Sequence, residues 1–321
     1  MKQPKNIPDV SIIIVSYNTR ELLHACLVSI VQAHGKSDSW EVIVVDNGSG
    51  DGSVEEVKSQ SFSKAQDDPE RSRMGQKSKV ESLNIDLITN KTNVGFAAAN
   101  NQGIRASRGR YVLLLNSDTE VASGALSELV GYMDEHRGVG AMTARVNLAD
   151  GSIDPACHRG FPTPWASLTY FIGLERLFPS TRLFGQYHQG YKSMGETHDV
   201  DCISGAFFLI RRSVIDTIGL LDEKFFMYGE DIDWCFRIRE RGSHIVFYPR
   251  VSIIHKKHQS GLGHPDAQTR RRTKQYFYDA MRLFYSKHYR KRYGSMISSL
   301  VLFGIRIARH SRERGNPECN K

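Results

Sequence analysis

The sequence predicts an α/β fold: a mostly parallel central sheet flanked by helices, with a basic helical extension at its C-terminal end. Three observations predict it. β-branched runs read as strands buried on both faces, amphipathic segments alternate with them, and the positive charge is confined to the tail. Residues 10–15 (VSIIIV) form an unbroken apolar run, the pattern of a central strand. Over 20–32 the apolar residues Leu23, Cys26, Leu27, Ile30 and Val31 recur at helical spacing. A second strand is expected at 42–45, closed by the turn-rich DNGSGDGS of 46–53, and a third at 85–89. A helix over 96–107, a strand at 111–115, a helix over 123–136 and a strand near 139–146 continue the alternation. Further on, a strand is expected at 202–211, a helix at 230–241, a strand at 244–248, and helix again from 273.

Two stretches break the pattern. Residues 58–82 are rich in Ser, Lys, Gln, Asp and Arg and read as a polar, mobile surface insertion. Residues 154–200 are rich in Pro and aromatics with weak periodicity and read as an irregular segment over the sheet. The expected organisation is one domain over 1–268 and a basic helical tail over 269–321.

Of the 321 residues 40% are hydrophobic and 24% charged, which excludes wholesale disorder. The net charge is +8, unevenly spread. Residues 269–321 hold 14 Lys or Arg against 3 Asp or Glu, whereas the remainder holds 29 against 32. The basicity therefore belongs to the tail, and the body is slightly acidic. Five widely spaced cysteines without a CxxC pair suit neither a zinc site nor a disulfide framework, and a reducing, cytoplasmic setting is expected. No secretory leader and no span of about 20 apolar residues is visible.

In an open parallel sheet, ligands sit beyond the carboxyl ends of the strands. Three polar clusters lie at such ends: Ser16-Tyr17-Asn18, Asp46-Asn47 and Asn116-Ser117-Asp118. Any one of them is ordinary turn chemistry. Three together point to a site.

The motifs carry a resemblance. Residues 10–18 followed by VVDNGSGDGS at 44–53 resemble the opening of the family-2 glycosyltransferases with the GT-A fold, and NVGF at 93–96 with NNQG at 100–103 resembles their next block. NSDT at 116–119 stands where a metal-binding DxD-type motif belongs. SGAFFLIRR at 204–212 and YGEDIDWCFR at 228–237 are similar to the acceptor-side and catalytic blocks, and His255 lies where a late metal-ligand histidine is expected. The resemblance spans roughly 10–260 and is strongest to bacterial rhamnosyltransferases acting on lipid-linked saccharides.

It implies a Rossmann-like GT-A sheet and an inverting enzyme of cell-surface polysaccharide synthesis. The donor would be a nucleotide sugar, dTDP-L-rhamnose first and UDP-sugars second. The acceptor would be a saccharide or a polyprenyl-diphosphate-linked saccharide. By the same resemblance Asp46 faces the base and Tyr17 and Asn18 line the nucleotide pocket. Asn93 and Asn101 contact the diphosphate or ribose side, and Asn116 adjoins them. Asp118 and His255 hold Mg²⁺ or Mn²⁺. Asp231 is the general base, with Glu230 beside it as the alternative. The usual metal motif has acids at both ends; here Asn116 replaces the first, leaving Asp118 as the single carboxylate. His258 stands where a glycine is common, and Lys256 and Lys257 can reach either a donor or acceptor phosphate or solvent.

The chemistry is coherent. A departing nucleoside diphosphate gathers negative charge that a hard divalent cation neutralises, and a carboxylate at a helix start can take the acceptor proton. Asp233, four residues before Arg237, reads as structural. Three rivals were weighed. A nicotinamide oxidoreductase lacks its GxGxxG turn, and a sugar nucleotidyltransferase lacks its Gly-rich basic loop after the first strand. A non-enzymatic binder of anionic surfaces or nucleic acid would use only the tail; no nucleic-acid module is visible, and no nucleic acid partner is expected. The tail is expected to hold the enzyme peripherally on the inner face of the cell membrane. Residues 276–285 can equally pack on the domain, whereas 296–314 favour the lipid surface.

Overall fold

The computed structural model describes residues 7–35, 39–59, 85–257 and 267–314. Strands β1 (Val10–Ser16), β2 (Trp40–Asp46), β3 (Ile85–Thr89) and β4 (Tyr111–Asn116) form a parallel block in the order β3-β2-β1-β4. The centres of β1, β2 and β4 are buried on both faces, which explains their unbroken apolar runs. Helices α1 (Arg20–Ala33), α2 (Ser53–Ser59) and α3 (Phe96–Ala106) make the crossovers. α3 lies so close to β1 that a Cβ at Gly103 would meet Ile13 Cγ2 at 2.4 Å; this glycine sits mid-helix because nothing larger fits.

The second half is mixed. Short β5 (Thr119–Val121), α4 (Ala125–Glu135) and β6 (Val139–Leu148) are followed by a 3-10 turn at Pro155–Cys157, α5 (Pro164–Phe171), α6 (Leu174–Leu177) and β7 (His198–Asp199). β8 (Phe207–Arg211), α7 (Arg212–Ile218), α8 (Glu230–Glu240) and β9 (His244–His255) complete the sheet, whose order is β3-β2-β1-β4-β8-β6-β9-β5, with β7 beside β9. β8 runs antiparallel between β4 and β6, and β6 pairs with β9 in parallel. Residues 160–201 leave and rejoin the fold at one point, because Arg159 and Cys202 form an isolated antiparallel bridge.

The structure departs from expectation in specific places. Of residues 202–206, Cys202 makes only its isolated bridge and 205–206 are a turn; the strand begins at Phe207. β9 does not stop at Tyr248. It absorbs Pro249 in an irregularity, visible as Tyr248 facing Ala144 while Ser252 faces Arg145, and runs on to His255. The insertion expected at 58–82 lies outside the described residues except Lys58 and Ser59, which close α2; His258 also lies outside them.

At the C-terminal side, α9 (Ala267–Phe284) leads through a π-helical turn, Tyr285–Tyr289, to α10 (Ser295–Arg314). Phe284, Tyr285 and Tyr289 are buried with Phe225 and Phe236, and the Tyr276 ring lies 4.6 Å from that of Phe226. Residues 276–285 therefore pack on the domain. The anchor is polar as well: buried Asp233 of α8 accepts from Arg237 Nε (2.9 Å), His288 Nε2 (2.7 Å) and Lys287 Nζ (2.7 Å). The hydrogen bonds from His288 and Lys287 and the charges of Lys287 and Arg237 hold its carboxyl down at about 2 against the cost of burial.

Candidate active site

Register brings the polar strand ends together. Ser16 faces Asp46, and Val15 faces Asn116, so the ends of β1, β2 and β4 lie flush along one edge of the sheet. Asp46 is buried there. Its Oδ2 accepts from the backbone N–H of Gly48 (3.2 Å) and Ser49 (3.0 Å), while Oδ1 is buried with no partner. The turn that presents it needs glycine: Gly48 has φ +83°, and a Cβ there would lie 2.9 Å from the Thr92 backbone. Asn18, itself at φ 52°, is laced to the same turn; its N–H donates to Ser49 Oγ (3.0 Å) and its Oδ1 accepts from Gly50 N–H (2.9 Å). The Tyr17 ring beside it is 46% exposed. Asn116 is half-buried at the end of β4.

Asn93 and Asn101, expected against the diphosphate or ribose, are engaged inside the fold. Asn93 Oδ1 accepts from Asn47 Nδ2 and Gly95 N–H, both at 2.9 Å, bracing the turn before α3. Asn101 is buried, donating to the Leu221 carbonyl (2.9 Å) and Glu223 (2.8 Å) and accepting from Leu221 N–H (3.1 Å). Its amide is saturated by the loop before α8, so the structure corrects that expectation. Asn47, which ties β2 to the 90–95 turn through Asn93, Asn90 and Val94, is the scaffold residue the sequence reading left without a role.

A second cluster lies at the far end of the same edge. β5 pairs with β9 so that Thr119 faces His255, and Asp118 Oδ1 lies 3.2 Å from His255 Nε2. His255 Nδ1 lies 3.1 Å from Asp154 Oδ2, and Lys257 Nζ 3.0 Å from Asp154 Oδ1. Burial works against a charge on His255, but its two carboxylate neighbours prevail and hold its pKa up at about 9. Burial likewise opposes charge on Asp154, and His255 and Lys257 overcome it, holding this carboxyl well below the usual range. Lys256 pairs with Glu120, so both lysines have partners in the fold. Among the described residues no three His, Cys, Asp or Glu side chains converge as a ready cation cage.

The third cluster is the start of α8. Tyr228 (φ 70°) and Gly229 (φ 82°) turn the chain sharply and place Glu230, Asp231 and Asp233 in the first helical turn, where the helix dipole favours acids. Glu230 is buried, with Oε2 unpartnered; burial and the neighbouring Asp231 push its pKa up to about 8. Asp231 is different. Its Oδ2 receives Arg159 Nη2 at 3.1 Å and Gly205 N–H at 3.4 Å, and its Oδ1 takes Ile232 N–H at 2.8 Å. Of the two adjacent acids, one is buried with an unpartnered oxygen, which favours its neutral form, and the other lies against the Arg159 guanidinium. Asp154 and Arg159 carry no signal in the sequence, because the stretch holding them has no periodicity and their partners lie 101 and 72 residues away respectively.

The N-acetylglucosaminyl-diphospho-decaprenol L-rhamnosyltransferase of Mycobacterium tuberculosis is 27% identical over 191 residues, 56% of this chain and 61% of that one. A longer Sinorhizobium fredii protein is 29% identical over 268 residues, 82% of this chain and 26% of that one. Among solved structures, S. aureus TarS 1-349 in complex with UDP-GlcNAc superimposes with a TM-score of 0.56 at 17% identity, covering 96% of this chain and 74% of that one. GalNAc-T7 with UDP, GalNAc and Mn²⁺ gives 0.54 at 17% identity, covering 88% and 50%. At such identities the superpositions speak for the fold alone, and that fold is GT-A. The family model described as glycosyl transferase family 2 matches residues 11–219, about two thirds of the sequence, and the chain belongs to that family.

Proposed function

We propose that the chain transfers a sugar from a pyrimidine nucleotide donor, dTDP-L-rhamnose in the first instance and UDP-sugars in the second, to a lipid-linked saccharide, inverting the anomeric centre. The observation that carries the donor class is the unpartnered Oδ1 of buried Asp46. A buried carboxylate oxygen without a donor is costly unless a ligand supplies one, and the N3–H of uracil or thymine does so. Tyr17 and Asn18 flank that position, and the ring of Tyr17 is exposed enough to lie against a base.

The residues also fit a divalent cation. Asp118 Oδ1 and His255 Nε2, 3.2 Å apart, are spaced like neighbouring ligands of an ion with ~2.1 Å bonds, which lie about 3 Å apart. Asp154 on the other ring nitrogen orients the imidazole as the outer carboxylate of a metal-bound histidine does. Two protein ligands leave room for diphosphate oxygens. When bound, the cation would neutralise charge on the departing diphosphate. Asp231 takes the proton from the acceptor hydroxyl as that oxygen attacks the anomeric carbon, and Arg159 and Gly205 N–H hold its carboxylate in place. Glu230, whose burial favours the neutral form, lies beside it.

The tail, 269–321, completes the proposal as the unit that keeps the enzyme peripherally on the cytoplasmic membrane face. No helix among the described residues is long and apolar enough to cross a membrane. In α10, Met296, Leu300, Phe303 and Ile307 form one exposed stripe, with Arg306 close by. Calorimetric titration with dTDP, UDP, GDP and NAD in the presence of Mn²⁺ tests the donor. Binding of dTDP or UDP is expected; a preference for GDP or NAD overturns it.

A further inference from the structure

Helix α5 is inside out. Its buried residues are Ala166 and Thr169, while Trp165, Leu168 and Phe171 face outward, and Ile172, Leu177 and Phe178 continue the exposed surface beyond it. These six large apolar side chains are between 42% and 70% exposed. Ordinary packing would reverse the arrangement, and an apolar patch of this size marks a contact surface. The patch is also braced. Pro164 and the Thr163 cap start the helix, Trp165 Nε1 donates to the Leu183 carbonyl at 2.7 Å, and the rings of Phe178 and Phe184 lie 5.7 Å apart.

The charge around it has one sign. Between Phe161 and Lys192 the charged residues are Glu175, Arg176, Arg182 and Lys192. The lone acid is buried, accepting the His188 N–H at 2.8 Å, whereas Arg176 and Arg182 are exposed. The same signature marks α10, whose outward apolar stripe is followed by Arg306 and preceded by exposed Arg290, Lys291 and Arg292. The two surfaces are connected. A cavity of about 370 Å³ is lined by Thr163, the cap of α5, and by Tyr293, two residues before α10, with the Arg292–Glu240 pair between them.

We propose that the α5–α6 surface is a second membrane contact, which together with α10 seats the enzyme on an anionic bilayer. Apolar residues enter the interface while arginines meet lipid headgroups, and two weak attachments make one durable one. The inference rests on the reading that the acceptor is lipid-linked, and it sharpens it. Only residues 160–163 separate α5 from Arg159, the partner of the proposed base, so docking here brings the catalytic edge of the crevice to the lipid surface.

The test uses the full chain and vesicles of phosphatidylcholine with or without phosphatidylglycerol, in the absence of sugar donor and acceptor. Of the three tryptophans, Trp234 is fully buried and Trp40 half-buried, so a change on docking reports chiefly on Trp165. Anionic vesicles are expected to blue-shift the emission and brominated lipid to quench it, with no response to phosphatidylcholine alone. Leu168→Glu with Ile172→Glu should weaken vesicle partition about a hundredfold, as should Leu300→Glu with Phe303→Glu in α10. Unchanged circular dichroism and nucleotide affinity would show that the variants are folded. Wild-type-like sedimentation of the α5 variant, or an emission spectrum that vesicles leave unmoved, overturns the proposal. So does a concentration-dependent dimer that the α5 substitutions abolish, since a second copy would then cover the patch. Nucleotide affinity is read separately, so failure of membrane docking and failure of the glycosyltransferase reading give different results.

Discussion

Replacing Asp46 by Asn tests the base-recognition argument directly. In the native protein Oδ2 is held by the N–H groups of Gly48 and Ser49, so the amide oxygen of the variant would take that place. The NH₂ would then occupy the position of the unpartnered Oδ1 and present a donor where an acceptor stood. A hydrogen bond to a charged group contributes about 1.5–3 kcal/mol, and opposing two donors adds to the loss. Affinity for dTDP or UDP should therefore fall roughly 30- to 150-fold at about 2–3 kcal/mol. Cytosine offers a bare N3 acceptor, so CDP should bind the variant better than it binds the wild type. The fold should survive, because Oδ1 has no partner inside the protein and removing the buried charge relieves desolvation. Isothermal calorimetry with dTDP, UDP and CDP, alongside the melting temperature, gives all three quantities. Undiminished dTDP affinity with no gain for CDP, in a variant of wild-type stability, would refute the assignment.

Asp231→Asn should lower single-turnover transfer by about 10²- to 10⁴-fold while sugar-nucleotide affinity stays within a few-fold, since a base acts only in the transition state. Near-normal turnover would move the role to Glu230. Asp118→Ala should weaken donor binding in Mn²⁺, and a chelator should bring wild type and variant to the same affinity; a variant with full Mn²⁺-dependent binding would remove Asp118 from the metal site. Asp233→Asn should cost about 2–3 kcal/mol of stability at neutral pH, because a folded-state pKa near 2 lies below the unfolded carboxylate value. That contribution is present above about pH 4 and lost as the pH falls through about 2, so urea midpoints of wild type and variant should converge over that window; a constant gap would separate the effect from ionisation.

The parallel half of the fold was legible because β1, β2 and β4 are buried on both faces and so appear as unbroken apolar runs, while the half-exposed edge strand β3 keeps only a short one. Residues 85–89 and 10–15 mark strands to within a residue or so. The later half was harder because non-local pairing overrides local pattern there. Pro249 looks like the end of a strand, yet β9 bulges around it and carries His255 to Asp118. The site divides along the same line. Asp46, Asp118 and Asp231 stand in recognisable strings at element ends. Asp154 and Arg159 lie in a stretch without periodicity and gain meaning only through partners distant in sequence. Asn101 misled because a polar residue next to a motif reads as ligand-facing, while packing had already used its amide.

The bridge between Arg159 and Cys202 closes residues 160–201 into a loop whose last residues return to the sheet, with β7 beside β9. Lengthening or replacing such a loop changes its closure entropy only slowly, and its two ends stay tethered to the frame that holds Asp231. The Asp46 end of the crevice is built from β1, β2 and β4 and shares none of this segment. The segment can therefore vary while the strand ends around Asp46 stay unchanged. Engineering by exchange should place its junctions between 160 and 197, which keeps β7 on the sheet. It should leave 154–159 intact, because that short run grips His255 through Asp154 at one end and Asp231 through Arg159 at the other.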